Sequence, residues 1–92
     1  MAGAALRLWF SGRVQGVGFR YQTKQLAENF EVSGYVQNLS DGRVEVHVEG
    51  DKGEVENFVS ALQERMRGFI QNTEQRQVVE QHLGQFVIRR EA

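Results

Sequence analysis

Between Leu6 and Phe30 the apolar period changes from two to helical spacing. The change is compressed into Gly12-Arg13-Val14-Gln15-Gly16-Val17-Gly18-Phe19-Arg20. Before it, Leu6, Leu8 and Phe10 alternate with Arg7, Trp9 and Ser11, as in a strand with one buried face. After it, Thr23, Leu26, Ala27 and Phe30 recur at helical spacing, with Lys24, Gln25, Glu28 and Asn29 opposite. That predicts a helix from about Phe19 to Asn29. The chain therefore passes from strand to helix through three glycines and two arginines. Glycine admits positive φ and close approach to the main chain. Successive N–H groups in such a loop can converge on an anion. The helix start adds free N–H groups and the positive end of its dipole, and Arg20 can give two parallel hydrogen bonds to an oxyanion. These residues suit an oxyanion cradle, phosphate first. The same glycines would equally serve turn geometry alone, and composition leaves both readings open. The Gly-Lys-Ser/Thr ending of a P-loop is absent, and Gly16-Val17-Gly18 runs into Phe19-Arg20 without completing the dinucleotide fingerprint.

At 92 residues the chain is expected to form one small domain over 1–92. A hydrophobic fraction of 40% supports a single core. The net charge of −1 and pI of about 6.1 weigh against a general nucleic-acid binder, which would be basic. With no cysteine, disulfides, thiolate metal sites and cysteine nucleophiles are excluded. No apolar run is long enough to span a bilayer. Met1 to Ala5 carries no signal-peptide pattern, so a cytoplasmic location is expected.

Val32 to Leu39 reads as a second strand. Ser40-Asp41-Gly42 follows as turn chemistry. Val44, Val46 and Val48 then alternate with Glu45, His47 and Glu49, predicting a hairpin partner that Gly50 ends. Asp51 with Glu54 resembles a capping box. Val55, Phe58, Val59, Leu62 and Met66 form a helical apolar stripe, expected to stop near Gly68 as a left-handed cap. Beyond that the pattern fades. Gln71 to Gln81 is mostly polar and its register is not readable; Val78 and Val79 suggest an exposed edge strand. Phe86-Val87-Ile88 predicts a last short strand. The order β-α-β-β-α-β plus a short C-terminal strand predicts an α+β, ferredoxin-like α/β sandwich, two helices on one face of a mixed sheet. Glu45, His47 and Glu49 would face solvent on the other side, with Trp9 and Tyr35 on or beside that face.

A second informative stretch is Gly34-Tyr35-Val36-Gln37-Asn38-Leu39-Ser40-Asp41-Gly42-Arg43-Val44. An asparagine before a turn ordinarily serves local hydrogen bonding. In this topology, however, Asn38 can face the glycine loop and orient a water there. Together the two stretches resemble the acylphosphatase family closely. The resemblance covers roughly Leu6 to Met66, and Phe86 to Arg89 looks like the family's terminal strand. It implies an enzyme that hydrolyses the carboxyl-phosphate anhydride of acyl phosphates. It also implies the roles. Arg20 binds the substrate phosphate together with backbone N–H groups of Gln15, Gly16, Val17, Gly18 and Phe19, and Asn38 positions the attacking water. The carboxylate leaving group, with a conjugate-acid pKa of about 4, needs no strong general acid. The expected site uses no cofactor and no metal. A small acyl phosphate is the partner, with inorganic phosphate as product and competitive ligand. No nucleic acid or membrane partner is expected, and the chain is expected to be a monomer.

The remaining polar residues read as structural. His47 is expected to be solvated, His82 has no partner at metal-ligand spacing, and Arg13 is a loop charge. Ser11, Ser33, Ser40 and Ser60 show no triad pattern. The chain departs from the family after the second helix, where Gly68-Phe69 replaces the usual Gly-Pro and the expected apolar alternation is missing. One rival is a domain that handles carbamoyl phosphate, resembling the first domain of hydrogenase-maturation carbamoyltransferases. A ferredoxin-like RNA-binding module is the other; Trp9 and Tyr35 would have to stack bases, but the RNP1 pattern is absent.

Overall fold

The computed structural model describes residues 3–90. Met1 and Ala2, part of the stretch read above for a signal pattern, lie outside the described residues, as do Glu91 and Ala92. The elements run β1 (Gly3–Gly12), α1 (Phe19–Ala27), β2 (Val32–Asn38), β3 (Val44–Asp51), α2 (Lys52–Arg65), β4 (Ile70–Gln77) and β5 (Phe86–Ile88). The strands form one sheet in the order β4-β1-β3-β2-β5, with only the β2–β5 pair parallel. Two helices on a five-stranded mixed sheet is the predicted ferredoxin-like arrangement.

Period-two alternation decides what each strand gives the core. Leu6, Leu8 and Phe10 of β1, Val36 of β2 and Val44, Val46 and Val48 of β3 pack with Phe19, Leu26 and Ala27 of α1 and Val55, Phe58, Val59 and Leu62 of α2. Burying each of the larger side chains contributes about 1.5–3 kcal/mol. Asp51 caps α2 as expected, its carboxylate accepting from Gly53 N at 3.0 Å. The capping box is only half formed, because Glu54 accepts from Glu31 N at 2.7 Å instead and so ties the β2 entrance to α2.

Three boundaries differ from the sequence expectation. Gly50 lies inside β3 at φ 152° rather than ending it, close against the carbonyl of Glu31. Gly68 is not the helix cap, since α2 ends at Arg65 and Met66 takes the cap position. The edge strand is not at Val78 and Val79 but is the polar run Ile70–Gln77 itself, paired to β1 from Leu6↔Gln77 to Gly12↔Ile70 with an irregularity between Ser11 and Gly12. Its side chains are exposed apart from Ile70, so the main-chain ladder, not side-chain burial, holds it as a strand.

The largest correction concerns the other sheet face. His47 was expected in solvent and is fully buried, and Glu49 is 3% exposed. The chain after β4 returns over this face. Gln81 N and Leu83 N donate to the Glu49 carboxylate at 2.7 and 3.0 Å. Nε2 of His47 lies 2.7 Å from the same carboxylate. The Tyr35 ring stacks on His47 at 5.3 Å, and the Arg89 guanidinium lies 3.8 Å from the Tyr35 ring centre. Trp9, Tyr35 and Gln37 all donate to Glu45. Burial alone would raise the Glu49 pKa; the Gln81 N–H, His47 and the Leu83 N–H outweigh it and hold the carboxyl at about 2. Burial and the Glu45 hydrogen bond push the Tyr35 phenol up to about 12.

Candidate active site

The crossing loop is pegged by two apolar side chains and open between them. Val14 and Phe19 are 1% exposed, and Phe19 packs against Phe10 with ring centres 5.3 Å apart. Gly16 and Gly18 between them both sit at φ 78°, while Gln15 and Val17 keep ordinary negative φ. This alternation in the sign of φ turns successive N–H groups toward one side, the geometry of an anion nest. A Cβ at Gly16 or Gly18 would meet nothing within 4 Å. Backbone conformation, not crowding, therefore requires glycine there. Gly12 is the opposite case, since a Cβ there would stand 2.5 Å from the Phe69 carbonyl oxygen.

Gly18 is the N-cap of α1 and provides no side-chain cap. The first helical bond runs from Gln22 N to Gly18 O at 2.9 Å. The N–H groups of Phe19, Arg20 and Tyr21 thus precede the helical ladder. Among the described residues, no protein acceptor meets the N–H of Gln15, Gly16, Val17, Gly18 or Phe19.

Three of these five residues border a cavity of about 330 Å³ lined by Val14, Gly16, Gly18, Phe19, Arg20, Tyr21, Asn38, Ile88 and Arg90. Arg20 and Asn38, predicted from motifs 18 positions apart in the chain, thus meet in one cavity. Asn38 arrives because it shares the helix side of β2 with Val36, and β2 ends there. Gly16, Gly18 and Phe19 line the cavity as well, whereas Gln15 and Val17 do not. The Gln15 side chain instead donates to Leu39 O and Arg43 O, both at 2.9 Å, and fastens the loop to the β2–β3 turn. Arg13 is exposed, outside the lining, and sits 5.9 Å from the Phe69 ring centre.

Tyr21, Ile88 and Arg90 were not singled out from the sequence. Phe86, Ile88 and Arg90 share a period-two spacing, but nothing local says that β5 lies beside β2. Among the described residues the charged side chains lining the cavity are Arg20 and Arg90, with no carboxylate beside them. The described lining is therefore electropositive in a chain of net charge −1. Among the described residues no group of three or more His, Cys, Asp or Glu is gathered as for a metal ion.

An acylphosphatase family model matches residues 6–88. The curated acylphosphatase of Archaeoglobus fulgidus is 47% identical over 58 residues, which is 63% of this chain and 65% of that protein. The match thus spans just under two thirds of that relative's length. Among solved structures, an acylphosphatase from Coxiella burnetii superposes with a TM-score of 0.82 at 27% identity, over 95% of this chain and 93% of that one. Acylphosphatase from Bacillus subtilis gives 0.81 at 30% identity, over 91% and 96%. The two motifs, the sheet order and the shared cavity agree with these matches: the chain belongs to the acylphosphatase family.

Proposed function

We propose that this chain hydrolyses acyl phosphates to a carboxylate and inorganic phosphate, with residues 1–92 acting as one domain. The observation that supports the reading is that Gly16, Gly18 and Phe19 of the loop line one cavity with Arg20 and Asn38. The phosphoryl group sits in the nest formed by Gln15 to Phe19, and Arg20 grips two of its oxygens. Asn38 orients a water at phosphorus. The water oxygen bonds to phosphorus as the bond to the acyl oxygen breaks, and that electron pair leaves on the carboxylate. The water's proton passes to a phosphate oxygen, since asparagine has no useful basicity and a guanidinium does not act as base near neutrality. Positioning and charge stabilisation suffice for such a transfer. No phosphoenzyme forms, and the reaction needs no added metal.

Inorganic phosphate, as product, competes for the same nest. The burial of Tyr35, at 3% exposed and stacked on His47, withdraws one of the two aromatics that a base-stacking role would use. No helix of the described residues is long and apolar enough to cross a membrane. A cytoplasmic monomer is the setting proposed for this activity.

The test is release of phosphate from acetyl phosphate by purified protein with a chelator present. Turnover inhibited competitively by phosphate is expected, with Asn38→Ala reduced by about 10²-fold in kcat. A folded protein that releases no phosphate overturns the reading, and full kcat in Asn38→Ala overturns the water-positioning role. Carbamoyl phosphate belongs in the same substrate panel; a clear preference for it would favour the carbamoyl reading.

A further inference from the structure

The cavity is larger than one phosphoryl group requires and lies in the size range of small-molecule sites. Arg20 and the nest account for only one side of it. The strand ends form another side, and Arg90 stands there. Its position follows from the sheet. β5 runs parallel to β2 with Gly34↔Phe86, Tyr35↔Val87 and Val36↔Ile88 as partners. Arg89 N then donates to Val36 O at 2.9 Å, carrying the pairing one step past β5. The same register sets Arg90 beside Asn38. Alternation sets its side. Phe86 and Ile88 pack against the helix-side core, while Arg89 lies over Tyr35 on the far face. Arg90 therefore shares the helix side with Ile88, and both line the cavity. Among the described residues no ion pair involves Arg90, although Lys24, Arg43 and Arg67 all have one.

We propose that Arg90 is a specificity-determining residue that binds the acyl portion of the substrate and selects acyl phosphates bearing a second anionic group, such as a distal carboxylate. This rests on the reading of the cavity as an acyl-phosphate site. With the phosphoryl group held at the nest, the acyl chain must leave along the strand ends, where Arg90 offers a planar fork of donors to a carboxylate. Tyr21, 60% exposed, lines the same cavity.

The test separates binding from turnover. Two stable phosphonates, butylphosphonate and 4-carboxybutylphosphonate, are titrated calorimetrically into the wild type, Arg90→Gln and Arg90→Lys. The wild type is expected to bind the carboxylate-bearing probe about three- to tenfold more tightly, the size of one solvent-accessible charge-assisted contact. That ratio should collapse toward one in Arg90→Gln and be partly retained in Arg90→Lys. Equal or undetectable binding of the two probes by the wild type overturns the proposal, and so does a ratio that survives in Arg90→Gln. A parallel assay compares acetyl phosphate with succinyl phosphate. If neither is hydrolysed while the phosphonate preference stands, the hydrolytic reading fails and the subsite remains; if both are hydrolysed with no preference at either level, the subsite alone fails.

Discussion

The chain builds the same backbone device twice and completes it differently. Along residues 15–18 the sign of φ alternates through Gly16 and Gly18; along 81–84 it alternates through His82 at 55° and Gly84 at 81°. In the second case Gln81 N and Leu83 N close on the Glu49 carboxylate. In the first, no acceptor of the described residues answers the N–H groups, and a cavity opens in front of them. The second nest holds an anion, the Glu49 carboxylate. Polar residues gather both on the far sheet face and around the cavity at the strand ends, so polarity alone does not mark the candidate site. The mark is donors left unmatched beside open volume. On the far face, Arg7, Tyr35, Glu45, His47 and Glu49 engage one another or the returning chain. On the helix side, Arg20 has no side-chain partner among the described residues.

Replacing a residue in each nest sharpens the contrast. Arg20→Gln should have the largest effect, lowering kcat/KM for acetyl phosphate by about 10²- to 10³-fold. Urea unfolding should shift by less than about 0.5 kcal/mol, since among the described residues the side chain makes no ion pair or hydrogen bond. A large stability loss would mean that Arg20 belongs to the scaffold instead.

Glu49→Gln should do the reverse. Its charge answers two backbone donors and His47, and losing it is expected to cost about 2–3 kcal/mol of unfolding free energy at pH 7. The pH dependence has a definite sign. The folded carboxyl titrates near 2, below its ordinary 4.5. Its contribution is therefore complete above about pH 4.5 and fades as pH falls toward 2. Wild-type and Glu49→Gln stability curves should converge across that window; an offset that stays constant through it would rule out the carboxylate as the origin.

Gly18→Ala should have the smallest effect. The added Cβ meets no atom within 4 Å, so only the left-handed backbone opposes it, at about 1–2 kcal/mol. Phosphate affinity should fall about two- to fivefold as the nest relaxes. Unchanged phosphate binding would detach the nest from the ligand.

The two nests were not equally visible in the sequence. The first sits where a period of two meets a helical period, and three glycines within seven residues mark the junction. The second sits in a polar stretch without a pattern, and one of its two positive-φ residues is a histidine. Alternation along Val44 to Glu49 correctly sorts side chains between the sheet faces. It says nothing about whether a face is covered, so the burial of His47 does not follow from it. Coverage comes from residues some 30 positions later, bound by main-chain donors that leave no trace in side-chain type. The strand Ile70–Gln77 was missed for a related reason. An edge strand exposed on both sides has no apolar face to print into the sequence, and its identity comes from pairing with β1. Arg20 and Asn38 were readable because their motifs are local. Arg90 was not, because its place depends on β5 lying parallel to β2.

One contact outside the cavity bears on the chemistry inside it. Gln15 holds the carbonyls of Leu39 and Arg43, the residues that flank the turn just beyond Asn38. The loop that grips phosphorus in the proposed reaction and the strand end that holds the water are thus laced into one rigid frame. Their separation is set when the chain folds, so nucleophile and electrophile meet at a fixed approach distance. The entropy of bringing them together, a term that reaches about 7–11 kcal/mol in well-oriented intramolecular reactions, is then met by folding and substrate binding, ahead of the chemical step.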